Sequence, residues 1–244
     1  MSQGLYLMHL RPNINRLLPW AQRQGLVPDR GQGDLGYAFH AALRAGFGDL
    51  APQPFSYRAN QGLLAYTREA EGVRLAGGIA TPEVAEILGI DATSHSPGLL
   101  IRPFPKSWNV GQWLSFEVRV RPVVRKGHKE LDAFLSAAQH KPNDFLSREE
   151  VYAQWLKRQF EPAADLDEIL MTEFSLSTVI RRTVSNSEEG RLKRHIQGPQ
   201  AVFTGVLKVR DSIEFAKLIE RGIGRHRAFG FGMLLLKPAS AVRG

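Results

Sequence analysis

The chain contains no cysteine, which removes disulfide scaffolds and cysteine-ligated zinc and suits a reducing compartment. No apolar run approaches the ~18 residues of a membrane span, and no charged start leads into a long apolar stretch. A soluble, cytoplasmic protein with no membrane partner is expected. His9, His40, His95, His128, His140, His195 and His226 show no H-x-H or H-E-x-x-H spacing, and no paired carboxylates suggest a two-metal nuclease. We therefore expect neither metal nor cofactor. Acidic residues are in the minority, 24 against 32 Lys and Arg, for a net charge of +8. That favours a polyanionic partner such as nucleic acid, although ribosome-associated and membrane-surface proteins share the same balance. Short-period repeats and low-complexity tracts are also missing. A length of 244 residues suits one large domain or two small ones, and two fit the pattern better.

Apolar periodicity switches between strand and helix periods in the order β-α-β-β-α-β, twice. In the first half, residues 4–10 read as a strand. Asp34 can cap a helix through Phe47, with Leu35, Phe39, Ala42, Leu43 and Gly46 on one side. Residues 55–58 and 63–68 form a hairpin around Asn60-Gln61-Gly62, Thr81-Pro82 starts a helix to Leu88, and 98–104 return as a strand. The intervening loops read as long and polar. Pro103 to Gly111 reads as a linker, giving domains 1–106 and 107–244.

The second half opens with a strand over 113–124, and 130–143 suggest an inserted helix. Ser147 and Glu150 fit a capping box for a helix through Phe160. Residues 169–184 and 192–209 make a long hairpin with its tip at 185–190. Asp211 can cap a helix with Ile213, Phe215, Ala216, Leu218 and Ile219 mostly inward. The expected fold is α+β: tandem ferredoxin-like (RRM-like) βαββαβ domains with a C-terminal glycine-rich loop. No RNP1 pattern is present, so RNA would bind through loops, hairpin and interdomain cleft rather than by stacking on an open sheet.

Three constellations carry chemistry. The first is Gly222-Ile223-Gly224-Arg225-His226-Arg227-Ala228-Phe229-Gly230-Phe231-Gly232, with four glycines in eleven residues. Gly222, Gly224, Gly230 and Gly232 can present main-chain N–H groups to phosphate, and Arg225 and Arg227, on either side of His226, add charge. Arg227 occupies the place of the third glycine of G-x-G-x-x-G and no Gly-Lys-Ser/Thr follows, so this is neither a dinucleotide fingerprint nor a Walker loop. A tight turn feeding a sheet edge explains the spacing equally well. The second is Tyr37, His40 and Arg44, which share a helix face at i, i+3, i+7. Such a set can move a proton and stabilise phosphoryl charge without metal, although a histidine bordering an apolar face is more often structural. The third is Arg181, Arg182, Arg191, Lys193 and Arg194, five cations in fourteen residues around the hairpin tip. They read as a phosphate-tracking finger or as a solvated ribbon.

The segment from Gly222 to Leu236, where Gly-Ile-Gly ends a helix and Ala-Phe-Gly-x-Gly leads into an apolar strand, resembles the C-terminal loop of CasE-type CRISPR RNA endoribonucleases of the repeat-associated (RAMP) superfamily. Leu5 to Leu10, Tyr37 with His40, Phe116 to Pro122 and Trp155-Leu156 extend the resemblance, while residues 70–112 add little to it. The resemblance implies that Tyr37 and His40 form the catalytic pair and that the basic hairpin contacts a repeat stem-loop. It also implies cleavage by 2′-oxygen attack, leaving a 2′,3′-cyclic phosphate and a 5′-hydroxyl. The expected partners are the CRISPR RNA repeat stem-loop and the other subunits of a Cascade-like or type IV interference complex, the free protein being a monomer. Arg44 comes from helix spacing alone, and His226 is the rival proton-transfer residue. The alternatives are a non-cleaving subunit that holds the RNA hairpin and a general RNA binder; subtype I-E and type IV both stay open.

Overall fold

The computed structural model describes residues 4–26, 35–94, 96–127, 129–140, 145–183 and 192–239, with side chains at 179–196 excepted. Asp34, Arg191, the hairpin tip, His95 and His128 lie outside the described residues. The chain forms two compact units. One comprises Met1–Phe104 with Ser177–Gln197 and Ala228–Gly230; the other comprises the remainder.

In the first unit β1 (Tyr6–Leu10), α1 (Ile14–Arg23), α2 (Leu35–Phe47), β2 (Phe55–Arg58), β3 (Gly62–Thr67), α3 (Ala70–Gly78), α4 (Pro82–Leu88) and β4 (Leu100–Pro103) follow one another. The sheet order is β2-β3-β1-β4, the order of a βαββαβ ferredoxin-like unit. Registers place Phe55, Ala65, Met8 and Ile101 in one row across it. Strand side chains alternate between faces, so this row is buried on one side together with Leu10 and Leu63. Ala38, Phe39, Ala42 and Leu43 of α2 and Val84, Ala85, Ile87 and Leu88 of α4 join that core. α2 and α4 approach closely at Gly46, where an added Cβ would lie 2.7 Å from Leu88 Cδ1 and would push that side chain aside.

Two helices replace what the sequence suggested were polar loops. The side chain of Asn13 caps α1 by accepting from Arg16 N–H, and Leu17, Trp20 and Ala21 are its buried residues. Their i, i+3, i+4 spacing is that of a helix, but Pro19 inside it argues against one in the sequence, because proline removes an intrahelical donor. Burial of Ala70, Val73 and Gly77 similarly holds α3.

The second unit contains β5 (Trp113–Val120), β6 (Val123–Lys126), β7 (Lys129–Asp132), α5 (Ala133–His140), α6 (Arg148–Phe160), α7 (Ser212–Arg221), β10 (Leu234–Pro238) and the proximal parts of β8 (Ala164–Thr183) and β9 (Leu192–Val209), whose ends from Ser177 and up to Gln197 cluster with the first unit. Its sheet order is β10-β5-β9-β8, the ferredoxin-like order again. Leu114, Phe116, Val118 and Val120 alternate into the core. The expected strand over 113–124 breaks at Arg121-Pro122, where proline has no N–H to continue the ladder. The chain turns instead into the β6–β7 hairpin, and the helix expected from residue 130 starts only at Ala133, where Asp132 Oδ1 accepts from Phe134 N–H at 2.7 Å. Ser147 and Asp211 cap α6 and α7 as expected. Ile213 does not face inward; it is 67 % exposed, whereas Phe215, Leu218 and Ile219 are buried. No helix among the described residues is long and apolar enough to cross a membrane.

Candidate nucleic-acid interface

Packing of Ala38, Phe39, Ala42 and Leu43 into the core fixes the rotation of α2 and leaves Tyr37, His40 and Arg44 along its border. Tyr37 is 9 % exposed, His40 is half-buried and Arg44 is exposed. The Tyr37 and His40 ring centroids are 6.2 Å apart. Phe229 stacks on Tyr37 at 5.7 Å and 17° and lies 5.1 Å from His40; the Ala228 backbone also hydrogen-bonds His40. Ala228 to Gly230 cluster with this first unit. Burial, and next the positive charge of Arg44, hold the His40 pKa below the ordinary histidine value, partly offset by the Ala228 hydrogen bond. A neutral, half-buried imidazole beside two aromatic rings can accept a proton near neutral pH. Arg44 itself pairs with Asp49 at 3.0 Å, so its influence on His40 is through charge.

The glycine segment is tied down at its base. Gly222 N–H donates to the Leu218 carbonyl at 2.8 Å and caps α7, Ile223 N–H donates to the Gly232 carbonyl at 2.8 Å, and Gly232 N–H donates to the Arg119 carbonyl at 2.7 Å. Gly222, Gly224, Gly230 and Gly232 all have positive φ, as does His226 at 61°. Gly224 lies against Trp155, whose Cη2 would be 3.0 Å from an added Cβ.

The basic residues of the segment are held inside the second unit. Arg225 Nε donates to Glu130 Oε1 and His226 Nε2 donates to Glu130 Oε2, each at 2.7 Å. Arg227 Nη1 donates to the Arg221 carbonyl at 2.6 Å. Burial lowers the His226 pKa, Glu130 pulls it back up, and the charges of Arg121 and Arg225 lower it again, for a net lowering. Burial pushes the Glu130 carboxyl up, but the hydrogen bond and charge of His226, then Arg225, outweigh it and leave the pKa below the ordinary value. With His226 neutral at neutral pH, its contribution is mainly the hydrogen bond, and the formal charge facing the carboxylate is that of Arg225. Arg121 is buried in this unit with its guanidinium carbon 5.8 Å from the Phe231 ring centroid. The long β8–β9 hairpin is present, with Arg181 and Arg182 near the end of one strand and Lys193 and Arg194 near the start of the other; their side chains lie outside those described.

The sequence model of the family described as CRISPR associated protein matches residues 5–238. The chain belongs to that family. A CRISPR endoribonuclease Cse3 bound to a 19-nucleotide RNA is 18 % identical, with 98 % of this chain and 100 % of that one covered and a TM-score of 0.61. Thermus thermophilus Cse3 bound to an RNA representing a pre-cleavage complex is 19 % identical, with coverage of 96 % and 100 % and a TM-score of 0.60. A chain of a CRISPR RNA-guided surveillance complex, pre-nicking, is 16 % identical, with coverage of 96 % and 100 % and a TM-score of 0.53. Among curated proteins none matches in sequence. The resemblance read from the glycine segment and α2 therefore holds at the level of CRISPR family and Cse3 fold.

Two residues of this CRISPR-associated protein escaped the sequence reading. Glu130 opens the stretch 130–143 that suggested an inserted helix; the turn signal was Gly127, flanked by Val123-Val124 and the alternating Lys129 to Asp132. Phe229 was legible only as part of the glycine segment, because a ring's stacking partner cannot be read from spacing.

Proposed function

We propose that this chain is a CasE-type endoribonuclease that binds the stem-loop of a CRISPR repeat and cuts precursor CRISPR RNA at the 3′ base of the stem. It retains the product as a subunit of a Cascade-like or type IV complex. The observation that carries the reading is the half-buried His40 imidazole beside Tyr37, with Ala228 and Phe229 of the glycine segment against it. Family membership and the fold shared with RNA-bound Cse3 support it, as does the net charge of +8. In this reading residues 1–106 carry the catalytic helix. Residues 107–244 carry the glycine-rich loop and a basic finger formed by Arg181, Arg182, Arg191, Lys193 and Arg194.

Neutral His40 takes the proton from the 2′-hydroxyl as that oxygen attacks the adjacent phosphorus. The bond from phosphorus to the 5′-oxygen then breaks, giving a 2′,3′-cyclic phosphate and, after proton uptake, a 5′-hydroxyl. Tyr37 orients the reacting group or exchanges a proton, and Arg44 stabilises the added phosphoryl charge. No step calls on a metal. Arg225 and Arg227, with the finger, grip the phosphates that supply most of the affinity and little of the sequence choice.

The test is incubation of the purified protein with repeat RNA in EDTA. The expected result is one cut, with a 2′,3′-cyclic phosphate at the new end. His40→Ala is expected to reduce the rate by at least about 100-fold, the lower range for general acid–base catalysis, while hairpin binding changes little. Retained hairpin without scission would instead favour the non-cleaving subunit, and undiminished cutting by His40→Ala would move the proton transfer elsewhere.

A further inference from the structure

Glu130 is an anion placed against the basic residues that the proposed function assigns to phosphate. Both of its oxygens are engaged, one by Arg225 Nε and the other by His226 Nε2, at 2.7 Å each. A phosphodiester offers its two non-bridging oxygens in the same manner. The two donors differ in access: the His226 side chain is 6 % exposed and that of Glu130 is 13 %, whereas Arg225 is 44 % exposed. Only the Arg225 side of the pair is open to a solute. The site rests on a rigid base, since Glu130 is paired with Arg125 in the β6–β7 hairpin. Two residues further along β7, Asp132 receives hydrogen bonds from Tyr152 and Arg148 of α6 at 2.8 and 3.0 Å.

We propose that Glu130 tunes RNA affinity by acting as an internal counter-anion: it holds Arg225 in the free protein and yields that guanidinium to an RNA phosphate, while His226 keeps the carboxylate in place. The exchange sets a threshold. A phosphate that takes the Nε–H edge of Arg225 must replace the ion pair with Glu130, so a single weak contact there gains little, whereas an RNA already held at several other points completes the exchange. Arg225 thus rewards a correctly docked stem-loop more than a transient encounter. The ion pair also keeps the Arg225 side chain oriented, which reduces the entropy lost when phosphate arrives.

This inference rests on the RNA-binding reading, and the experiment separates the two. Hairpin affinity is measured for the intact chain, Glu130→Gln, Arg225→Gln and the double variant, with thermal melting as the check on folding. Glutamine keeps an acceptor for His226 and removes the charge that opposes phosphate. Glu130→Gln is expected to tighten hairpin binding about two- to fivefold, the range for releasing a partly exposed ion pair, and to steepen the salt dependence. In the Arg225→Gln background the same change is expected to have no effect. Unchanged or weaker binding by a folded Glu130→Gln chain, or equal tightening without Arg225, overturns the proposal. Failure of the intact chain to prefer hairpin over unstructured RNA overturns the underlying function instead. If Glu130→Gln does not fold, the unaltered chain still decides through nuclear magnetic resonance. The Arg225 Nε–H signal is expected to move on addition of hairpin RNA while the His226 Nε2–H signal stays; an unmoved Arg225 signal with RNA bound overturns the exchange.

Discussion

The role proposed for His40 depends on the position α2 gives it, half out of the core with a cation one turn further along. Burial and Arg44 both favour the neutral imidazole, the form that accepts a proton. The sign fixes the rate profile. Single-turnover cleavage is expected to be level around neutral pH and to fall on the acid side, with a midpoint below the ordinary histidine value of 6.5. Arg44→Gln removes one of the lowering influences, so its midpoint is expected to shift upward, even if the maximal rate falls; a midpoint that stays put would deny Arg44 its electrostatic role. The identity and spacing of Tyr37, His40 and Arg44 were legible because one helix carries all three. Phe229 was not, being nearly two hundred positions away in the chain and meeting Tyr37 only through folding.

At the scale of elements, the glycine segment depends on a backbone that most residues cannot adopt. Gly232 has φ of 78°, and a Cβ there would collide with the Ile223 carbonyl and crowd the Ile223 N–H, which closes the base of the segment by donating to the Gly232 carbonyl. Gly232→Ala is expected to destabilise the chain by more than about 1 kcal/mol, the sum of positive-φ strain and a lost close approach, measured as a fall in Cm in urea. Asp211→Ala provides the comparison, since it removes two N-cap hydrogen bonds at the other end of α7, to Ile213 and Glu214, and should cost about 1 kcal/mol. Gly232→Ala should also weaken hairpin RNA binding, whereas Asp211→Ala should leave it nearly unchanged. Capped helices and alternating strands such as α6, α7 and β5 were readable, because their signals are local. The β6–β7 hairpin was not, because Pro122 ends the β5 ladder and the following short strands carry few apolar residues.

For the molecule as a whole, two partly buried histidines are expected to contribute to a loss of stability in acid. The pKa values of His40 and His226 are both lowered by folding, so the unfolded chain binds more protons as pH falls from about 6.5 through the lowered values. Stability is therefore highest above that window and declines within it. Glu130 adds a second loss at lower pH, from about 4.5 downward, because its folded pKa is lowered and the ionised form is the one that folding favours. Melting temperature is expected to fall between about pH 7 and 5, and the fall should be shallower in His40→Gln/His226→Gln; an equally steep fall would assign the acid sensitivity to other groups.

The sequence by itself determined the charge balance, two βαββαβ series, the helix carrying Tyr37 and His40 and the glycine segment, since composition, periodicity and local steric demand act over a few residues. Only the tertiary structure decided which groups meet. It set Phe229 over Tyr37 and gave Arg225 and His226 to the carboxylate of Glu130, because such pairings depend on chain reversal and burial, which bring together residues whose separation along the chain carries no record of the contact.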